Sequence, residues 1–260
     1  MFIFVDGRLT LFVLMACMYG AAFFIGQWAK RGKTWYLRKM PAIDALVEGI
    51  GRATELGRPV HFSAGVDRAG PGDPDRAQAY PILKFVAENC AQRDCRLITT
   101  VGKADVYAIC DQIVKEAAVT SGNPDWYKAE DVQFLGEDQF VYAAGVMGLL
   151  PQEKVATNYI FGYHRGSLIN LLEAGKMNDC FQIGGMARQS GEMAFLAICC
   201  DYWMVLEEMI AAGAYISKDP GQLSTVATQD YVKFALLALM ITGALLITAN
   251  IDFIKRLVLL

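Results

Sequence analysis

The sequence predicts an α/β protein with a doubly wound, mostly parallel, Rossmann-like sheet, flanked by an N-terminal and a C-terminal transmembrane helix. Three observations lead to this fold class: an uncharged apolar segment at residues 9–28, a second apolar segment at residues 234–249, and alternating strand-like and helical patterns between them. Strands that alternate with helices are typical of a parallel sheet with helices on both faces.

The two apolar segments place the chain at a membrane. A membrane-spanning helix needs about 20 mostly apolar residues. Residues 9–28 have this length, whereas the second segment reaches it only by continuing past Asn250 and Asp252 to Phe253. Basic residues follow the first segment at Lys30, Arg31, Lys33, Arg38 and Lys39. The two segments predict a cell-membrane protein with two spans and the lipid bilayer as a partner. Because basic residues collect on cytoplasmic flanks, we expect the middle domain to be cytoplasmic.

The predicted organisation has five parts. They are an N-terminal transmembrane anchor at residues 1–29, a basic flank and amphipathic helix at 30–57, the Rossmann-like soluble domain at 58–217, a linker at 218–233, and a C-terminal transmembrane helix and tail at 234–260. The net charge is only −3. Phosphate binding requires a basic surplus or a basic stripe, so nucleic acid is not expected as a partner.

The cysteines and histidines argue against a metal or a disulfide framework. The seven cysteines are odd in number and irregularly spaced, which favours a reducing compartment. Structural zinc sites use CxxC or histidine pairs, and the only histidines are His61 and His164. We therefore expect no metal and no cofactor.

Local patterns predict the elements in chain order. Pro41 and Gly57 bound an amphipathic helix. Strands are predicted at residues 58–63, 96–101, 131–135, 155–161 and 180–183, and helices at 80–90, 104–118, 139–150 and 167–175. Residues 194–199 fit a strand or the start of a long helix, and the strand is favoured. The turn-formers of residues 217–230 predict a loop that leads back to the membrane.

A candidate ligand site follows from the ends of the predicted strands. Each strand ends near glycine, at Gly65, Gly102, Gly136, Gly162 or the pair Gly184 and Gly185. In open parallel sheets, ligands bind at the carboxyl ends of the strands. The charged residues expected along this edge are Asp67, Arg68, Lys103, Asp105, Asp138, His164, Arg165 and Arg188.

The ligand would be a small anion, with Arg165 as the strongest single candidate because guanidinium binds phosphate or carboxylate in bidentate fashion. The favoured interpretation of this edge involves no ligand: the glycines form tight turns and the charged side chains are solvated. A phosphate loop needs GxxxxGK[ST], and residues 65–72 lack the lysine and contain Pro71. No GxSxG motif is present, so no catalytic residue is assigned, and a structural role is favoured for His164.

Ala16 and Gly20 form a small-xxx-small pair in the first apolar segment. Such pairs let membrane helices approach closely. We expect this pair to pack on the second membrane helix or on a neighbouring subunit.

Three segments, LVEGIGRATELGRPVHFSAG, DYWMVLEEMIAAGAYIS and TQDYVK, resemble a family of bacterial and archaeal membrane proteins. In that family a domain of unknown function lies between terminal membrane helices. The resemblance covers nearly the whole chain and implies the same layout, but it implies no activity and no functional residue.

Two functions fit these observations. The favoured one is a membrane-anchored interaction or scaffold subunit without catalysis, which forms a homo-oligomer or joins a larger membrane complex. Tethering at both ends would raise the effective concentration for lateral association. The alternative is a membrane-tethered enzyme or sensor that binds a small anionic metabolite or nucleotide at the strand ends.

Overall fold

A computed structural model describes residues 9–31, 40–66, 73–217 and 220–248. The chain divides into two compact units. One is Leu37–Ser217, and the other combines Met1–Tyr36 with Lys218–Leu260.

The larger unit alternates helices and strands. The terminal unit contains α1 (Leu9–Lys30) and α9 (Pro220–Thr248), and the larger unit contains α2 (Pro41–Leu56), β1 (Val60–Ser63), α3 (Pro74–Gln92), β2 (Leu97–Val101), α4 (Ala104–Thr120), β3 (Val132–Phe134), α5 (Gln139–Gln152), β4 (Thr157–Phe161), α6 (Leu168–Met177), β5 (Phe181–Met186), α7 (Met193–Cys199), β6 (Tyr202–Val205) and α8 (Glu207–Ser217).

The six strands form one parallel sheet in the order β3-β2-β1-β4-β5-β6. The chain runs outward from β1 through β2 to β3, then returns to the other side of β1 with β4. The strand order therefore reverses between β1 and β4, which is where doubly wound sheets leave a crevice at their carboxyl edge. The predicted parallel α/β, Rossmann-like fold is confirmed.

Alternation along the strands divides the core between two faces. Phe62 and Tyr159 belong to the core that also contains residues of α2, α3, α4 and α8. Ile98 and Ile160 belong to the second core, with residues of α5, α6 and α7. Because helices cover both faces, every residue of β1, β2, β4 and β5 is buried. Each fully buried large apolar side chain stabilises the fold by about 1.5–3 kcal/mol.

The favoured strand at residues 194–199 is wrong, because the segment is helix α7 and the strand begins only at Tyr202. Leu196 is buried in α7 while Ile198 is 70% exposed. With one buried residue, a seven-residue helix shows no helical periodicity in its sequence. The last strand, β6, is an edge strand whose first two residues are exposed.

Gly184 and Gly185 lie inside β5 rather than at its end, which corrects their predicted place. An added Cβ at Gly184 would lie 2.6 Å from Leu196 Cδ2, and one at Gly185 would lie 2.7 Å from Phe161 Cδ1. These glycines allow the neighbouring side chains to pack closely against the strand.

Residues 220–230, predicted to be part of a loop, form the first turns of α9. Ser224 Oγ donates to Gly221 O at 2.7 Å, and Thr228 Oγ1 donates to Ser224 O at 2.7 Å. Hydroxyl groups that favour turns can be satisfied in this way by the carbonyl groups of a helix.

Among the described residues, one helical segment, Gly221–Leu246, is long and apolar enough to cross a membrane, whereas the apolar stretch of α1, Phe12–Trp28, is shorter. In the terminal unit α1 packs on α9, and an added Cβ at Gly26 would lie 3.9 Å from Ser224 Oγ. Ala16 is exposed, and an added Cβ at Gly20 would meet no described atom within 4 Å. The predicted small-residue pair is therefore not part of the described α1–α9 contact.

Candidate functional site

The loops after β1 and β4 touch each other at the carboxyl edge of the sheet. Val66 N donates to Tyr163 O at 3.0 Å. Gly65 and Gly162 have φ values of +89° and +93°, and an added Cβ at Gly162 would lie 2.9 Å from Ala64 O. Glycine is required here because it adopts positive φ without strain and lets the two loops approach.

Beneath these loops, five buried polar side chains form a continuous chain, which we call the polar chain: His61, Ser63, Thr100, Tyr142 and His164. His164 Nε2 lies 2.6 Å from Ser63 Oγ, which lies 2.6 Å from the Tyr142 hydroxyl. That hydroxyl lies 2.6 Å from Thr100 Oγ1, which lies 2.9 Å from His61 Nε2. All five side chains are fully buried. The polar chain links β1, β2, α5 and the loop after β4.

Two neutral amides anchor the inner end of the polar chain. Gln182 Nε2 donates to Leu172 O at 2.9 Å and to Cys199 O at 3.3 Å. Its Oε1 accepts from Asn158 Nδ2 at 3.0 Å, which turns Asn158 Oδ1 toward His61 Nδ1, 2.7 Å away.

Burial sets the protonation of this region. Desolvation lowers the pKa of His61 to about 4 and that of His164 to about 3, although a hydrogen bond partly opposes each shift. Burial raises the pKa of Tyr142 to about 12. Both imidazoles are therefore neutral at pH 7, and His164 is a buried member of the polar chain rather than an exposed base.

A second polar group, which we call the ion cluster, links the start of α3 to the loops after β4 and β5: Asp73, Asp75, Tyr163 and Arg188. Arg188 Nη2 lies 2.6 Å from Asp73 Oδ2, and its guanidinium carbon lies 4.7 Å from the centre of the Tyr163 ring. Asp75 is fully buried, and its Oδ1 accepts from Ala187 N at 2.6 Å and Arg188 N at 2.8 Å. The other oxygen, Oδ2, is at ion-pair distance from Arg188 Nε, 3.3 Å, without hydrogen-bond geometry.

The charge of Asp75 is disfavoured by its surroundings. Burial raises the pKa of Asp75, and the two backbone N–H groups of Ala187 and Arg188 only partly oppose this shift. Buried carboxyl groups with a raised pKa are enriched at functional sites. Asp75 is therefore the most informative titratable group at this edge.

The other predicted site residues are distributed as follows. Asp67 and Arg68 lie outside the described residues. Lys103 directly precedes α4, and Arg165 has a φ of +54°. Glu192 has a pKa raised by burial and lowered by Arg165, so these two residues interact electrostatically.

Two of the acidic residues have local structural roles. Asp138 Oδ1 accepts from Phe140 N and Val141 N and caps α5, and Asp105 Oδ1 accepts from Val106 N. Asp138 shows the hydrogen-bond pattern of an N-cap residue, and its role requires no ligand.

The sequence interpretation missed Asp73, Asp75, Ser63 and Tyr142. The first two follow a recognisable signal, since Asp-Pro at a helix start predicts an N-cap, and Asp73 indeed accepts from Asp75 N. Ser63 and Tyr142 had no such signal, because a single polar residue within a strand or helix does not reveal its partner.

Among the described residues, no group of three or more His, Cys, Asp or Glu side chains is placed to hold a metal ion. All seven cysteines are free thiols in the structure.

A six-stranded parallel sheet in this order, covered by helices on both faces, defines a doubly wound α/β domain of the Rossmann type. The chain belongs to the family described as "Domain of unknown function (DUF6754)", which matches residues 1–258. No curated protein and no solved structure matches the sequence. Membership confirms the expected uncharacterised family and assigns no activity.

Proposed function

We propose that this protein is anchored in a membrane and that its Rossmann-type domain binds a small anionic molecule beside the β1–β4 switch point. The observation that supports this most strongly is the strand order, which puts the switch point next to the ion cluster. The loops at Tyr163 and Val66 adjoin, and Arg188 stacks on Tyr163. Ligands of doubly wound sheets bind at this position.

Arg188 is the cation best placed to recognise the anion. The Arg188 side chain is 40% exposed while its partners Asp73 and Asp75 are buried. The two carboxyl groups therefore hold the guanidinium in place from the inside, and its other side is accessible to solvent. Arg165 is the second candidate, on the adjoining loop. Guanidinium groups suit bidentate binding of phosphate or carboxylate, so nucleotides and small carboxylates are the ligand classes to test. No catalytic step is proposed.

Thermal unfolding of the full chain in detergent tests this proposal, with ATP, NAD, AMP, inorganic phosphate and citrate as probes. We expect at least one probe to raise the unfolding temperature, and Arg188→Ala to abolish that rise. Arg52→Ala is the matched control, because Arg52 also pairs with an acid, Glu48, and stacks on an aromatic ring, Phe181. No stabilisation by any probe, or equal stabilisation of Arg188→Ala, contradicts the proposal.

The membrane part of the proposal assigns α9 and α1 as two spans of a cell-membrane protein with a cytoplasmic domain. This assignment is supported by the apolar character of both helices and by the basic residues, such as Arg31, that follow α1 in the sequence. Asp125 is exposed, so Asp125→Cys can be treated in intact cells with a membrane-impermeant maleimide. Protection that is lost on permeabilisation supports the topology, whereas labelling in intact cells beyond that of the parent protein contradicts it.

A second candidate function is an interaction subunit that forms a homo-oligomer or joins a larger membrane complex. Edge strand β6 favours it, because Trp203 is 43% exposed and Ile198 nearby is 70% exposed. Exposed apolar edges are typical association sites. Gly20 also faces open space among the described atoms. Gly20→Ile should reduce the oligomer size in mild detergent, and a monomeric parent protein in detergent and lipid discs contradicts this candidate.

A further inference from the structure

The polar chain has more donor–acceptor pairs at hydrogen-bond distance than its neutral side chains have protons to fill them. Six donor–acceptor pairs are within hydrogen-bond distance: the two outer pairs formed by the Nδ1 atoms of the histidines, and the four inner pairs between them. Each neutral imidazole carries one N–H and each hydroxyl one O–H. The five side chains therefore supply five protons for six pairs.

The outer pairs fix both histidines in the same tautomer. Gln182 donates to two carbonyl groups, so Asn158 must present its oxygen to His61, and His61 Nδ1 must carry a proton. His164 Nδ1 lies 3.1 Å from Gly162 O, which can only accept. The Nε2 atoms of both neutral rings are then acceptors.

With both Nε2 atoms accepting, the three hydroxyl protons must serve four pairs. Thr100 donates to His61, Ser63 donates to His164, and Tyr142 can donate to only one of its two neighbours at 2.6 Å. Thr100 O, 3.3 Å from the Tyr142 hydroxyl, is another acceptor and supplies no proton. One short pair is left with two facing lone pairs.

We propose that the polar chain is a buried proton-binding site, which takes up one proton shared between His61 and His164. The added N–H completes the sixth hydrogen bond, because the hydroxyl group that it meets is then free to donate to Tyr142. Proton uptake thus leaves no pair of the polar chain without a proton.

Neighbouring charges set how readily this proton binds. Arg76 on α3 opposes it, since its positive charge lowers the pKa of His164. Cys110 on α4 is the titratable group that raises the pKa of Tyr142. His61 itself also lowers the pKa of His164, whereas the amides of Asn158 and Gln182 at the inner end of the polar chain are neutral.

The experiment is a pH titration of the full chain in detergent micelles, followed by ¹⁵N NMR of selectively labelled histidine. The chain has only two histidines, so all ring nitrogens can be assigned. We expect one ring to take up a proton as the pH falls and the second to remain neutral until the protein unfolds. Interacting groups of this kind titrate as a pair.

Tyr142→Phe tests the proton count directly. It removes one proton and two hydrogen bonds, so neutral side chains satisfy every remaining pair. The midpoint of the first histidine protonation should fall by about one pH unit or more, a tenfold weaker proton affinity. If Tyr142→Phe does not fold, Thr100→Val removes the same imbalance and should shift the midpoint in the same direction.

Tyr159→Phe is the matched control, because Tyr159 is also fully buried but donates to Leu46 O on the other face of the sheet. Its midpoint should equal that of the parent protein. Equal midpoints in the parent, Tyr142→Phe and Thr100→Val overturn the proposal. So does a parent protein in which both rings titrate independently, or in which neither ring takes up a proton before unfolding.

Discussion

Gly49 lies where α2 meets the sheet, and replacing it with alanine tests that packing directly. An added Cβ would lie 2.5 Å from the Tyr159 hydroxyl oxygen, 2.9 Å from Thr157 Cγ2 and 3.0 Å from Phe181 Cδ1. Thr157 Oγ1 also donates to Gly49 O at 2.8 Å, so the helix cannot move away without losing a hydrogen bond. Overpacking of this kind costs about 1–3 kcal/mol.

Gly51, two residues further along α2, is the matched control. An added Cβ there meets no described atom within 4 Å. In a helix interior, Gly→Ala stabilises by about 0.5–1 kcal/mol when the methyl group has room. Gly51→Ala should therefore stabilise by this amount. Three contacts of 3.0 Å or less place the overpacking cost at Gly49 in the upper part of its range, about 2–3 kcal/mol, so after a gain of about 1 kcal/mol is subtracted Gly49→Ala should destabilise by about 1–2 kcal/mol.

Thermal unfolding of both variants in the same detergent measures the difference. For a domain of this size, 1 kcal/mol shifts the unfolding temperature by about 2–4 °C. Gly49→Ala should lower it by about 2–8 °C and Gly51→Ala should raise it by about 1–4 °C. Shifts of the same sign in both variants would refute the described packing of the Gly49 face of α2 against β4.

Three further predictions concern the carboxyl edge. Gly162→Ala should destabilise by about 2 kcal/mol or more, since positive φ strains alanine and a carbonyl group blocks the methyl, whereas Gly166→Ala, which has open space, should stay within about 0.5 kcal/mol of the parent in thermal unfolding. Asp75→Asn should be tolerated at pH 7 because it keeps an acceptor oxygen, while Asp75→Ala should cost about 1–3 kcal/mol for each unsatisfied N–H group. Denaturant unfolding compares the two variants, and equal losses of stability contradict the role of Asp75 as acceptor for Ala187 N and Arg188 N. The pKa values of His61 and His164 are lowered in the folded state, so the unfolded chain binds more protons and the contribution of these groups to stability should decrease as pH falls below about 6.5. The free energy of unfolding should therefore fall less in His164→Asn than in the parent between pH 7 and pH 5. An equal decrease in both proteins contradicts this.

The buried strands and the longer helices could be predicted from sequence because their signals are local. Residues 96–101 are a short, mostly apolar run, and α4 has buried residues at helical spacing, among them Val106, Cys110 and Val114. The strand order itself follows from long-range pairing and could not be derived from these runs.

The missed features depend on what each residue meets across the fold. Gly184 and Gly185 look like turn glycines in sequence, but the side chains of Leu196 and Phe161 explain them. Likewise, Gly162 has a positive φ and allows the two loops to approach each other. A glycine gives no sequence signal that distinguishes a turn, a packing site and a ligand site.

The sequence predicted that the loops after β1 and β4 lie at one edge of the sheet, but not which charged residues lie beside them. The adjoining loops at Tyr163 and Val66 match the expected edge. The charged partners Asp73 and Asp75 were not predicted, because their pairing with Arg188 joins positions more than 100 residues apart in sequence. Only the folded sheet brings these positions together.

The central place of β1 has a consequence for how the chain acquires its structure during synthesis. His61 in β1 pairs with Asn158 in β4, which is made 97 residues later. Until β4 leaves the ribosome, one edge of the innermost strand stays open, and the polar chain lacks His164 and the amides of Asn158 and Gln182. Long-range parallel pairing is slow, and exposed strand edges promote aggregation. We therefore expect nascent chains truncated before residue 157 to depend on chaperones, and chains extended past β5 to become resistant to protease.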